Sequence, residues 1–96
     1  MRIIWTRQAA ASLNGEKAYI AASNPAAASS VAGRIIDSVE RLAVHPESGR
    51  PGRVPGTREL VVTGTPYIVP YVVREDAVLI LRVFHAARKW PTGFTK

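Results

Sequence analysis

Four side chains in the second half of the chain, Arg58, Arg82, His85 and Arg88, are of types that handle protons and phosphate. A histidine ionises near neutral pH, so His85 among arginines is a candidate to move a proton at a ribose hydroxyl in RNA cleavage. Guanidiniums grip phosphate or carboxylate in a forked geometry, which makes the same arginines candidates for plain binding. Arg50, Arg53, Lys89 and Trp90 join that second list, Trp90 either stacking on a base or closing the end of the core. Each residue also has a plainer use: His85 bonded to backbone, Arg58 paired with Glu59, Arg74 paired with Asp76. With no cysteine and only His45 and His85, neither a thiolate nor a histidine-rich metal site can be assembled. No Walker loop, Ser/His/Asp order or paired-carboxylate pattern stands out, and no cofactor is expected.

The elements that must position these groups are legible in the hydropathy pattern. Residues 58–62, 67–73 and 78–84 are apolar runs rich in β-branched or aromatic side chains. Between them lie Thr63-Gly64-Thr65-Pro66 and Arg74-Glu75-Asp76, connections too short for parallel crossovers, so the spacing predicts an antiparallel three-stranded meander. Pro70 stands inside the middle strand, where it cannot donate a ladder hydrogen bond, and requires a bulge or an unpaired stretch. Upstream, residues 2–5 form an opening strand and the Thr6 hydroxyl caps a helix starting at Arg7. Ala10, Leu13, Lys17 and Ile20 mark one side of that helix, which Gly15 weakens by roughly 1 kcal/mol. Asn24-Pro25 starts a second helix whose apolar positions Val31, Ile35, Ile36, Val39, Leu42 and Ala43 run to Val44, where His45-Pro46 stops it. Residues 48–56, SGRPGRVPG, read as a loop.

This order predicts an α+β fold, β-α-α-β-β-β: an N-terminal strand and an antiparallel helical hairpin packed on one face of a small, mainly antiparallel sheet, the other face open. Alternation along the last strand sends Leu79, Leu81, Val83 and His85 toward the helices and Val78, Ile80, Arg82 and Phe84 to the open face. Arg58 and Arg82 then become candidates for a clamp across the sheet.

Composition bounds the rest. Ninety-six residues, 47% hydrophobic and 21% charged, suit one globular domain over residues 1–96. No apolar run approaches a membrane span and the start is too quickly polar for a secretory signal, so a soluble, cytoplasmic protein with no membrane partner is expected. The net charge is +6, of which residues 1–49 contribute +1 and residues 50–96 contribute +5. The basic excess belongs to the sheet half and favours an anionic partner, either nucleic acid or an acidic protein segment.

Over nearly its full length the chain resembles the RelE/ParE superfamily of toxins from bacterial type II toxin-antitoxin modules, more closely the ParE branch. The resemblance rests on the strand ending in Trp5, Tyr19-Ile20, Asn24-Pro25-Ala26-Ala27, the Leu42 to Pro46 helix end, Gly49-Arg50, Gly56-Thr57-Arg58-Glu59-Leu60, Pro66-Tyr67-Ile68-Val69, Tyr71 and the run from Leu81 to Arg88. It implies a toxin neutralised by a cognate antitoxin in a hetero-oligomer, with DNA gyrase as the target of ParE-like members. RelE-like members instead cleave mRNA on the ribosome, using basic residues on the open sheet face. The matching meander positions here are Glu59, Val61 and Ile68, with only Arg88 basic, so the resemblance implies binding rather than metal-independent cleavage. An mRNA interferase built on Arg58, Arg82, His85 and Arg88, and an inactive module kept as an antitoxin partner, stay open.

Overall fold

The structure is a computed structural model that describes residues 1–87. Arg88, Lys89 and Trp90, named above as candidates, lie outside the described residues. The chain opens with β1 (Arg2–Trp5) and turns at Thr6, whose hydroxyl accepts the Ala9 N–H at 3.1 Å and donates to the Ile80 carbonyl at 2.6 Å. One side chain therefore both caps α1 (Arg7–Ala21) and fastens its start to the sheet. Asn24 caps α2 (Pro25–Glu40) by accepting the Ala27 N–H, and Pro25 occupies the first helical position, where no donor is needed. The expected helix reaches Val44 only as a tightened end: Arg41–Ala43 is a 3-10 turn, and His45-Pro46 follows.

Four strands come next, β2 (Arg50–Pro51), β3 (Arg58–Val61), β4 (Tyr67–Arg74) and β5 (Ala77–Ile80), and β6 (Phe84–His85) ends the described sheet. Neighbours run in the order β1-β5-β4-β3-β2, with β6 also on β4. All pairings are antiparallel except β1 with β5, where Arg2 lies beside Ala77 and Trp5 beside Ile80. That parallel pair is possible because the helical hairpin and the meander all lie between its strands in sequence. The α+β arrangement expected from the sequence is the one observed.

The core lies between the hairpin and one sheet face. From α2 it takes Ala28, Ala32, Ile35 and Val39, spaced by four, three and four, and then Leu42; Ile36, included in the expected stripe, is exposed. From the sheet it takes Val62, Tyr67, Val69, Tyr71, Val78, Ile80 and Val83.

The last strand departs from simple alternation. Tyr71 pairs with Ile80 and Ile68 with Phe84, so Val69 and Pro70 on β4 stand opposite Leu81, Arg82 and Val83. The extra residue is a bulge, which reverses the phase of the faces. Val78 and Ile80 therefore meet the helices ahead of it and Val83 after it, correcting the expectation that Leu79 and Leu81 would do so. Pro70 explains the break. Its carbonyl accepts the Leu81 N–H at 3.0 Å, and a strand residue turns its N–H to the same neighbour as its carbonyl, so the missing donor faces the bulge.

The second face is not bare. Ile68, Pro70, Val72 and Leu81 are buried, while Val61 on the same side as Ile68 is half exposed.

Candidate functional site

The tightest charged constellation centres on Glu59. Its Cα partner in β4 is Pro70, and its side chain lies on the second face, only 3% exposed. One carboxylate oxygen accepts the Arg50 guanidinium at 3.0 and 3.2 Å; the other accepts the Arg53 N–H at 3.0 Å and the Arg53 guanidinium at 3.2 Å. Burial alone would push this carboxyl up, but the Arg53 N–H and the two guanidiniums together outweigh it and hold Glu59 below its ordinary value. Arg50 arrives on β2, whose pairing with β3 sets it beside Glu59. Arg53 is delivered by a loop closed through Gly52 N–H to Thr57 carbonyl at 2.8 Å. Two cations named for partner binding are thus held by an internal carboxylate, although each side chain keeps about half its surface in water.

Arg58 lies on the other side of the strand. Its Cα partner is Tyr71, a core residue, so the side chain belongs to the helix side, where the guanidinium donates to the Gly49 carbonyl at 2.8 Å and the Glu47 carbonyl at 3.3 Å. The same junction is tied by Tyr71, whose hydroxyl accepts the Gly49 N–H at 2.9 Å and donates to the Pro46 carbonyl at 2.8 Å. Burial pushes the Tyr71 phenol up. A Cβ at Gly49 would meet that hydroxyl at 2.5 Å, so no larger residue fits without displacing it. Arg58 therefore ties the connection that follows the helical segment to the sheet.

Arg82 is on the opposite face from Arg58: its guanidinium carbon lies 5.8 Å from the centre of the Phe84 ring, and Phe84 pairs with Ile68. Its Nε is buried with no hydrogen-bond partner among the described residues. The expected clamp of Arg58 with Arg82 is not formed, because the two project from different sides of the sheet. His85 stands edge-on to Tyr67, ring centres 5.5 Å apart, and its Nδ1 accepts the Ala87 N–H at 3.2 Å. That bond leaves the ring proton on Nε2 in the neutral form. Arg58, Arg82 and His85 do not converge on a common point.

Glu59, Val61 and Ile68 do share one face, through the pairs Glu59 with Pro70 and Val61 with Ile68. At these three positions the face carries a carboxylate bound by Arg50 and Arg53 and two aliphatic side chains. The Glu59 hub was missed in the sequence because strand neighbours Arg58 and Glu59 look like a local pair. The available signal was strand alternation itself, which sends adjacent side chains to opposite faces. Among the described residues no group of three or more His, Asp or Glu stands close enough to hold a metal ion. No helix among them is long and apolar enough to cross a membrane.

A solved structure described as the chromosomal ParDE TA system from P. aeruginosa superposes with a TM-score of 0.81 at 31% identity, covering 88% of this chain and 95% of that one. The helical hairpin on a bulged, mainly antiparallel sheet is therefore the fold of a toxin from a toxin-antitoxin module. The family model for the ParE toxin of type II toxin-antitoxin systems, parDE, matches residues 3–90, and the chain belongs to that family. It is 49% identical over 90 residues to the candidate toxin Y4kP of Sinorhizobium fredii (strain NBRC 101917 / NGR234), covering 94% of this chain and 93% of that one. It is 39% identical over 87 residues to Toxin RelE2 of Caulobacter vibrioides (strain ATCC 19089 / CIP 103742 / CB 15), covering 91% and 97%.

Proposed function

We propose that this toxin acts by binding: it docks on DNA gyrase and inhibits it, and a cognate antitoxin neutralises it in a cytoplasmic hetero-oligomer, with residues 1–96 acting as one toxin domain. The observation that supports binding over cleavage is the dispersal of the candidate acid–base set. Arg58 is committed to two backbone carbonyls, Arg82 lies on the opposite face, and His85 accepts a backbone N–H. RNA scission without a metal needs a base, an acid and a cation within reach of one phosphate, and three groups held apart do not supply that. Membership of the ParE family supports gyrase as the target and an antitoxin as the partner.

The name of the Caulobacter relative favours a second reading, a RelE-like enzyme cleaving mRNA on the ribosome. Induction of the chain in growing cells, followed by primer extension on an abundant message and by a reporter of the DNA-damage response, separates the two. The expected outcome is a strong damage response with no new message ends. New ends inside codons with no damage response would reject the gyrase reading in favour of the ribosome. Neither signal, with growth unaffected, would mark the chain as an inactive antitoxin-binding module.

A further inference from the structure

The two ends of the sheet are finished differently. One end is β2, two residues long, and a strand made of Arg50 and Pro51 is poorly suited to pairing with another chain. The other end is β1, whose residues Arg2–Trp5 include no proline or lysine and pair with β5 in unbroken register. The Arg2 and Thr6 N–H groups donate to the Asp76 and Ile80 carbonyls at 3.0 and 3.2 Å, so residues 2, 4 and 6 turn their backbone groups to β5. Ile3 and Trp5 alternate with them and turn theirs outward, and among the described residues no strand lies beyond. An edge without these protections is a template for another extended chain.

The side chains of β1 decide which chain fits. Ile4 lies on the face away from the helices, level with Leu79 and Val72, and is 37% exposed. Arg2 carries the strand's charge and stands 3.6 Å from Asp76, which leaves the edge close to neutral. An acidic segment would find no free cation on it. A second copy finds a register that satisfies both strands at once. Run antiparallel about a two-fold axis through Ile4, Ile3 faces the partner's Trp5 and Trp5 faces the partner's Ile3, so the outward N–H groups of both copies meet carbonyls. The Ile4 side chains then meet at the axis as a non-hydrogen-bonded pair, the closer kind, with Cα atoms about 4.5 Å apart. Each flanking pair sets an aromatic ring against a β-branched side chain, a favourable cross-strand combination.

We propose that the β1 edge is a self-association surface: two copies of this chain pair antiparallel through residues 2–5, join their sheets into one and bury Ile4 against its equivalent. The surface lies at the opposite end of the sheet from the Glu59 hub, and the inference is independent of the toxin's target and antitoxin. One short strand from each copy makes a small contact, so monomer and dimer interconvert with concentration. The salt dependence is opposite in sign to that of an acidic partner. Two +6 chains repel, and the register sets Arg2 opposite the partner's Thr6, with no ion pair across the axis; added salt therefore screens repulsion and strengthens the dimer.

The test is sedimentation velocity of the full chain over a range of concentrations at about 0.05 M and about 0.5 M salt, with amide hydrogen exchange at the lowest and highest concentrations. The expected result is a monomer–dimer equilibrium that moves toward dimer at the higher salt, with slower exchange at Ile3 and Trp5 as dimer forms. Ile4→Lys sets like charges face to face and should raise the dissociation constant about tenfold or more, as should Ile4→Glu. Mixed in equal amounts, the two variants should recover the dimer, because lysine then faces glutamate. Should either variant fail to fold, the exchange comparison on the unaltered chain still decides. A monomer at every concentration would overturn the proposal. A dimer indifferent to Ile4→Lys would assign the contact to another surface, and one dissolved by salt would assign it to ion pairs; either result rejects the β1 edge. Equal protection of Ile3 and Trp5 at all concentrations would reject it too, since the edge would already be covered within one copy.

Discussion

Replacing Glu59 by glutamine preserves the shape of the side chain but removes the charge on which two guanidiniums and a backbone N–H converge. Both arginines would then face a buried neutral amide, and the hydrogen bonds that remain lose their charge assistance. The expected cost at neutral pH is about 1–3 kcal/mol, read as a lower urea midpoint with unchanged slope. The pH dependence has a definite sign. Glu59 is held below its ordinary value in the folded state, so its contribution is complete above the unfolded carboxyl pKa of about 4.3 and is lost as pH falls through the folded value. The difference in stability between the native chain and Glu59→Gln should therefore be constant near neutrality and shrink in acid. A difference that grew in acid would mean that the arginines do not favour the ionised carboxylate. This hub also marks the limit of reading residues by sequence proximity. Arg50 and Arg53 reach Glu59 because a turn and two strand pairs bring them there, while the adjacent Arg58 points to the other face.

At the scale of elements, most boundaries were legible because local chemistry imposed them. Thr6 and Asn24 had to cap, Pro25 had to begin a helix, and the breaks at Gly64 and Glu75-Asp76 had to turn the chain. The bulge was half legible: Pro70 signalled that a ladder bond was missing, but the register needed to place the extra residue comes from pairing, which no single strand encodes. The error propagated by simple alternation, since one inserted residue moved Leu79 and Leu81 off the helix side and brought Val78 and Ile80 onto it. The hairpin shows the complementary case, where small residues set a distance. Ala28 and Ala32 are 1% and 7% exposed, and the contact between α1 and α2 leaves no room for a water molecule. Ala32→Leu has to push the helices apart or force neighbouring side chains from their rotamers. A loss of about 1–3 kcal/mol is expected in thermal or urea unfolding. Leucine at position 36, exposed on the same helix, should change stability by less than about 0.5 kcal/mol. Equal effects at the two positions would show that the helices are not in close contact.

For the whole molecule, the net charge matters through where it is left unspent. The sheet half carries +5, and among the described residues Arg50 and Arg53 are tied to Glu59 and Arg58 to backbone carbonyls, yet engaged charges still contribute to the field around the chain. A field of that kind speeds encounter with an acidic partner and is screened by salt. Between about 0.01 M and about 1 M salt the Debye length falls from roughly 30 Å to roughly 3 Å, shorter than the span of the basic surface. The association rate with the antitoxin should therefore drop by about tenfold or more across that range, while dissociation, governed by contacts at close range, changes far less. Stopped-flow mixing at several salt concentrations separates the two rates. The double variant Arg34→Gln with Arg41→Gln should flatten the association curve, because it removes +2 from the field without touching the Glu59 hub. Should salt act mainly on dissociation, the partner would be held by close ion pairs, and the neutralised variant would then release it faster at every salt concentration.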